Sequence, residues 1–390
     1  VRQYARYAFY NVPEELDAPM EYYIDRDSGM LYIYLPDGWQ ESGVTIGQSL
    51  CTRMVESTAS NITFSGLTFR GTMLDALKLT GDDITVSDCR VLCIGRNAID
   101  AKGNRVLIDG CEVYNVGGYG IRIGVDKEVR RANIFTDSQV SNCKIHAFEE
   151  LDRIYNPGLS LQGLGSRALN NEIYDAPHLG MSYVGTNIEI AYNLLENLCY
   201  DSSDAGALYI YDATINSGGT RIHDNIVRNI INDEGEFFNP NGIYLDAGSG
   251  GMQVYSNIIE NVDGFGILSG GPDNELRDNL FINSVYQFHS GNYYKITSEH
   301  TGWNGLLEDG TGNIGTYPNG MFWEYLLLEK NNPGYGTERW AYLNPWVMLL
   351  KTTNCYHLDD RFTAYSYGDA RVRNNVFSIS EKKNDISNVV

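Results

Sequence analysis

The chain has 390 residues, with 29 Lys and Arg against 50 Asp and Glu and a formal net charge of −21. That balance argues against a nucleic-acid partner, which needs a basic footprint, and makes a strongly anionic polymer a less natural ligand. No run of about 20 apolar residues reads as a membrane span, while 28 Tyr, 13 Phe and 5 Trp offer aromatic faces to a core or to the C–H faces of sugars.

Residues 1–50 carry no repeat. Tyr22 to Gly38 reads as a β-hairpin turning at Asp27, Ser28 and Gly29. A hairpin alone is marginal, so this segment is expected to be the end of a cap or β-sandwich that begins before Val1. From residue 51 to 380 one short pattern returns, as in Ile190-Ala-Tyr-Asn193-Leu-Leu195, Ile222-His-Asp-Asn225-Ile-Val227 and Val254-Tyr-Ser-Asn257-Ile-Ile259. Further copies surround Asn171, Asn279 and Asn375. From Asn171 to Asn279 the spacings are 22, 32, 32 and 22 residues; upstream, Leu67, Cys89, Cys111 and Cys143 fill the same slot at 22, 22 and 32, with 28 more to Asn171. A period of about 22 with insertions is a solenoid signature.

A second strand recurs 13 residues before the slot, at Ala76–Gly81, Ala98–Gly103, Gly158–Gly163, Gly180–Gly185 and Gly266–Gly271. Gly, Asn and Asp bound both strands, so turn chemistry closes each side of a rung. A coil with two or three such strands per turn buries its apolar faces inward and pairs with the next coil. The expected fold is therefore all-β, a right-handed parallel β-helix. Identical slots stack about 4.8 Å apart, so Asn171, Asn193, Asn225, Asn257 and Asn279 are expected to form an internal amide ladder that satisfies buried turn backbone and carries no chemistry. Three of the seven Cys sit in that slot as small buried groups; no disulfide framework and no metal-ligand spacing is present, and no metal or cofactor is expected. Residues 284–370 break the period, and helical apolar spacing within them predicts a partly helical excursion beside the coil.

Regular rungs need no extra residues, so insertions are where function is expected. The one after Asn193 carries Asp201, Asp204, Tyr209 and Tyr211; the one after Asn225 carries Tyr244 and Asp246. Both put carboxylates and outward Tyr beside one strand column on adjacent rungs, a candidate cleft with two acids. Glycoside hydrolysis needs two, one to protonate the leaving oxygen and one to attack C1 or activate water. Adjacent rungs set the backbones of Asp204 and Asp246 about 5 Å apart plus any lateral offset, which fits retaining and inverting pairs alike. The competing reading of each Asp is an ordinary Asp-Ala-Gly turn. His178, one rung earlier, is read as a hydroxyl-binding or pKa-setting group with a structural role as the alternative. Arg221 and Tyr244 are read as lining the cleft, Tyr209 and Tyr211 as a sugar platform, Asp201 as a reserve acid and His223 as structural. Asp100, Arg122, Ser160 and Ser182 mark the groove floor further along. Glu149, Glu150 and Asp152 read as a solvated charge run, and Trp303 and Trp323 as a wall on the excursion.

The run Asp204-Ala-Gly-Ala-Leu-Tyr209, with Gly219-Thr-Arg-Ile-His-Asp-Asn225, Gly242-Ile-Tyr-Leu-Asp246 and Gly270-Gly-Pro-Asp-Asn274, resembles the β-helix glycoside hydrolases of family 141 and less closely the family 120 β-xylosidases. Asn11 to Pro19 with Tyr22-Tyr-Ile-Asp25 is similar to a segment preceding the helix in those families. The resemblance implies bacterial enzymes, on either side of the membrane, that hydrolyse neutral glycans such as xylosides, xylan or fucosides without a metal, and it carries the paired acids onto Asp204 and Asp246. The chain departs from the family at Ala247, where a second Asp is common, and at Met20, where Gly is usual. Two other classes compete: a polysaccharide lyase or epimerase, which would need a base and cations against a uronate, and a non-catalytic glycan-binding β-helix.

Overall fold

The computed structural model describes residues 9–40, 46–125, 135–211, 218–232, 239–246, 249–270, 274–290 and 371–378. Two compact units divide the chain, one ending at Gln48 and the other beginning at Ser49. In the first, Tyr22–Asp25 and Met30–Ile33 form an antiparallel hairpin with Tyr22 opposite Ile33. The Asp25 carboxylate accepts the backbone N–H groups of Asp27 and Ser28, and Gly29 takes a φ of 71°. This local bonding is why an Asp and a Gly delimit the turn.

The second unit is a coil of three ten-stranded sheets, each wholly parallel along its length. One turn runs through Gly206–Tyr211 in the first sheet, Arg221–His223 in the second and Ile226–Ile230 in the third, and the next turn begins at Asn241–Asp246. Side-chain alternation decides the inside: in Met181–Val184, Met181 and Tyr183 are buried while Ser182 and Val184 are half-buried on the outer face. The interior is a single continuous cluster of Ile, Leu, Val and Ala from Phe69 to Phe281. Such a core grows one rung at a time, as expected of a solenoid.

Two corners of the coil are built by repetition. Between the second and third sheets, the residue before each slot sits in the left-handed region, including Asp88, Asn142, Asn170, Tyr192, Asp224, Ser256 and Asp278 at φ 52–62°. One such residue turns the chain sharply, and Asn and Asp tolerate the conformation best. The slot side chains then bond up the coil: Asn225 Oδ1 accepts both the backbone N–H of Asn193 at 2.9 Å and its Nδ2 at 2.9 Å, and each Asn from 171 to 279 repeats the pattern with its successor. Asn375 extends the ladder by accepting the N–H of Asn279 at 2.9 Å. Between the first and second sheets stand Gly81, Gly103, Gly163 and Gly185, with φ between 143° and 155°. A Cβ on Gly103 would lie 1.8 Å from the carbonyl oxygen of Gly81, so only glycine fits that column.

One expectation is corrected here. Tyr286–Ser290 lies inside the stretch read as an excursion, yet it pairs in parallel with Phe265–Ser269 and continues the first sheet. Its Tyr-Gln-Phe-His-Ser alternation is ordinary strand patterning that the loss of the 22-residue period obscured. The remainder of the expected excursion, 291–370, with Trp303, Trp323 and Cys355, lies outside the described residues.

Candidate active site

The outward positions of the first sheet form one column. Lys78, Asp100, Arg122, Ser160, Ser182, Tyr209, Tyr244 and Leu268 are successive lateral partners. Its early part is closed on itself: Arg122 makes two bonds to Asp100, at 3.1 and 2.8 Å, and lies over the Tyr119 ring at 4.4 Å. Ser160, buried, and Ser182, half-buried, follow. Beyond them stand the two tyrosines.

Tyr209 and Tyr244 meet edge to face with centroids 5.2 Å apart. The Tyr209 hydroxyl donates to Asp246 Oδ2 at 2.9 Å, and the Tyr244 hydroxyl donates to Asp204 Oδ1 at 3.3 Å and also reaches the Asp246 carboxylate. Burial first, then the charge of Asp246, pushes both phenols well above the ordinary tyrosine range, so they remain donors at any physiological pH. The backbone relation differs from the one expected. Asp246 ends its strand opposite Tyr211, whereas Asp204 precedes its strand in a turn with φ 51°. The two backbones are not stacked; the carboxylates come together because both are bonded to the long side chain of Tyr244. Asp204 is exposed and Asp246 half-buried.

The rim beside this column is the segment 149–157, at the corner between the third and first sheets. The N–H groups of Glu149, Glu150, Leu151 and Asp152 donate to carbonyls of Gly118, Val116 and Gly117 in the preceding coil. Arg96 pairs with Asp152 at 3.4 Å at one end, and both Arg153 Nε and Nη2 bond Asp201 Oδ2, at 3.0 and 2.7 Å, at the other. Glu149 anchors the middle. It is fully buried, not solvated as its charge run suggested, because the chain folds back over it and its Oε1 accepts the Asn156 N–H at 2.7 Å. Burial pushes its carboxyl up to about 9, and its Oε2 has no partner. Pattern alone could not separate this Glu from its exposed neighbour Glu150; the only hint was a spacing of 28 instead of 22 across the segment.

His178 packs under the rim at 4 % exposure, where burial lowers its pKa to about 4. Its Nδ1 accepts the Tyr155 N–H at 3.3 Å and lies 3.9 Å from Glu149 Oε1. It therefore supports the rim as a neutral ring. Asp201, read as a reserve acid, is paired with Arg153. Arg221 is also corrected: its strand belongs to the second sheet, where it pairs with Glu189 at 3.2 Å, so it is on a different face from Tyr209, Tyr244 and Asp246. His223 is structural, bonded to Asp224 at 2.8 Å and Glu189 at 3.3 Å and stacked on Tyr255. Tyr211 is the last residue of its strand, and its side chain lies outside the described residues, as does Ala247. Among the described residues, no group of three His, Cys, Asp or Glu is placed to hold a metal ion.

The family model described as "Right handed beta helix region" matches residues 75–299, more than half of the chain. The chain belongs to the right-handed β-helix family. Among solved structures it is similar to a protein named "Glycoside hydrolase", with a TM-score of 0.54 and 17% identity over 73% of this chain and 58% of that one. At that identity the likeness shows the fold, and the chain spans less than two thirds of that neighbour. No curated protein matches it. Along the first sheet's outward column the side chains change from an Arg–Asp pair to two serines and then to two tyrosines bonded to Asp204 and Asp246.

Proposed function

We propose that the protein is a glycoside hydrolase acting on a neutral glycan, of xyloside, xylan or fucoside type, with Asp204 and Asp246 as its paired acids. The observation that carries this reading is the convergence of both carboxylates on the Tyr244 hydroxyl from separate coils. The pair supplies the two roles this chemistry needs, one carboxyl to protonate the leaving glycosidic oxygen and the other to attack C1 or activate water. The name carried by the structural neighbour is in keeping with this chemistry. A neutral substrate is favoured over a uronate because Arg122 and Arg153 are each already paired with a carboxylate, leaving those charges compensated.

The test is turnover of aryl β-xylosides and aryl α-fucosides by the unaltered chain and by Asp204→Asn and Asp246→Asn. Release of the aryl group that both substitutions abolish, with unchanged melting, is the expected result. Full activity in both variants overturns the assignment of acids, and unsaturated product absorbing in the ultraviolet would replace hydrolysis by elimination.

A further inference from the structure

Tyr155 stands at the tip of the rim and is unlike the other aromatic residues of the site. It is 65 % exposed, yet it is not loosely held. Its backbone occupies the left-handed region at φ 57°, unfavourable for a bulky residue. Its N–H is tied to His178 Nδ1 at 3.3 Å, and its ring meets the His178 ring edge to face at 5.0 Å and 67°. His178 is itself buried, and Glu149 behind it accepts the N–H of Asn156, the next residue. A buried histidine and a buried glutamate thus hold one ring that the core does not need.

The position of that ring is informative. His178 lies just before the strand of Ser182, the lateral partner of Tyr209, and the Tyr155 phenol is close enough to bear on the ionisation of Tyr209. In the same column Ser160 is buried and Ser182 half-buried, between the Arg122–Asp100 pair and Tyr209. Glu149 and His178 are both uncharged between their values of about 9 and about 4, so the mount presents no net charge to a ligand at neutral pH.

We propose that Tyr155 is a carbohydrate-stacking residue, whose anchored, exposed ring takes the C–H face of a neutral sugar held beside Tyr209 and the two acids. The inference rests on the glycosidase reading for its substrate class, and it adds the residue that positions the sugar. Aromatic rings held rigid before binding contribute apolar contact at little entropic cost.

Calorimetric titration with xylotetraose and with fucosyllactose tests it, using Asp204→Asn protein so that no turnover intervenes. The Tyr155→Ala change in that background is expected to weaken binding about tenfold, the order of one aromatic contact. Tyr155→Phe and Tyr155→Trp are expected to retain it, and all variants to melt alike because the ring is exposed. Equal affinity in Tyr155→Ala, or binding of neither sugar by the parent, overturns the inference. Binding that depends on Tyr155 in a protein that hydrolyses no aryl glycoside leaves the stacking role standing and removes the enzymatic one. Hydrolysis with a KM indifferent to Tyr155→Ala does the reverse.

Discussion

Two corners of the coil solve the same problem differently. Between the second and third sheets, every slot Asn hands its donors to the next coil, and the chain turns on a residue suited to the left-handed region. Between the third and first sheets, the segment 149–157 abandons the period, buries a carboxyl with one oxygen lacking a partner, and displays the Tyr155 ring to solvent. The first corner stabilises because each copy satisfies its neighbour. At the second, unmatched length lets side chains from several coils meet, as Arg153 meets Asp201 and Tyr155 meets His178.

The comparison predicts that changes at the site remove activity and changes at the ladder remove stability. The largest effect is expected from Asp246→Asn, about 10²–10⁴-fold in kcat/KM on an aryl glycoside with little change in melting. Next comes Asn225→Ala, which deprives the N–H and Nδ2 of Asn193 of their acceptor and leaves a cavity; about 2–4 kcal/mol of unfolding free energy should be lost in a denaturant titration.

Glu149→Gln should act through pH. An unfolded Glu titrates near 4.5 and the folded Glu149 at about 9. Between those values the folded state keeps a proton that the unfolded chain has released, so stability falls as pH rises across that window. The Gln variant removes this slope, at most about 1.4 kcal/mol per pH unit, in melts collected from pH 6.5 to 9. His178 works on the acid side: its folded value of about 4 lies below 6.5, so its contribution is present above 6.5 and lost as pH falls through 4. The smallest effect belongs to Arg96→Ala. It opens an exposed pair at the rim and should cost under about 1 kcal/mol; a larger loss would show the rim to be as cooperative as the ladder.

Much of the coil is legible in the residues alone. Asn171 to Asn279, and Asn375 beyond a long interruption, repeat one local pattern, and a repeated pattern in parallel strands leaves a single register that buries Ile, Leu and Val inward. The outward column from Asp100 to Tyr244 follows from the same parity. Less is legible at the site. Arg221 falls in an insertion-bearing coil near the acids in sequence, but its place in the second sheet gives it to Glu189.

What the sequence by itself determined is the architecture: period, strand alternation and turn residues act over a few neighbours and are multiplied ten times along each sheet. Only the tertiary structure decided that Glu149 is buried while Glu150 is exposed, that His178 supports Tyr155, and that Asp204 and Asp246 share the Tyr244 hydroxyl. Those relations depend on how inserted segments of unequal length fold back across coils, and no periodicity encodes where a non-repeating path will bring its side chains.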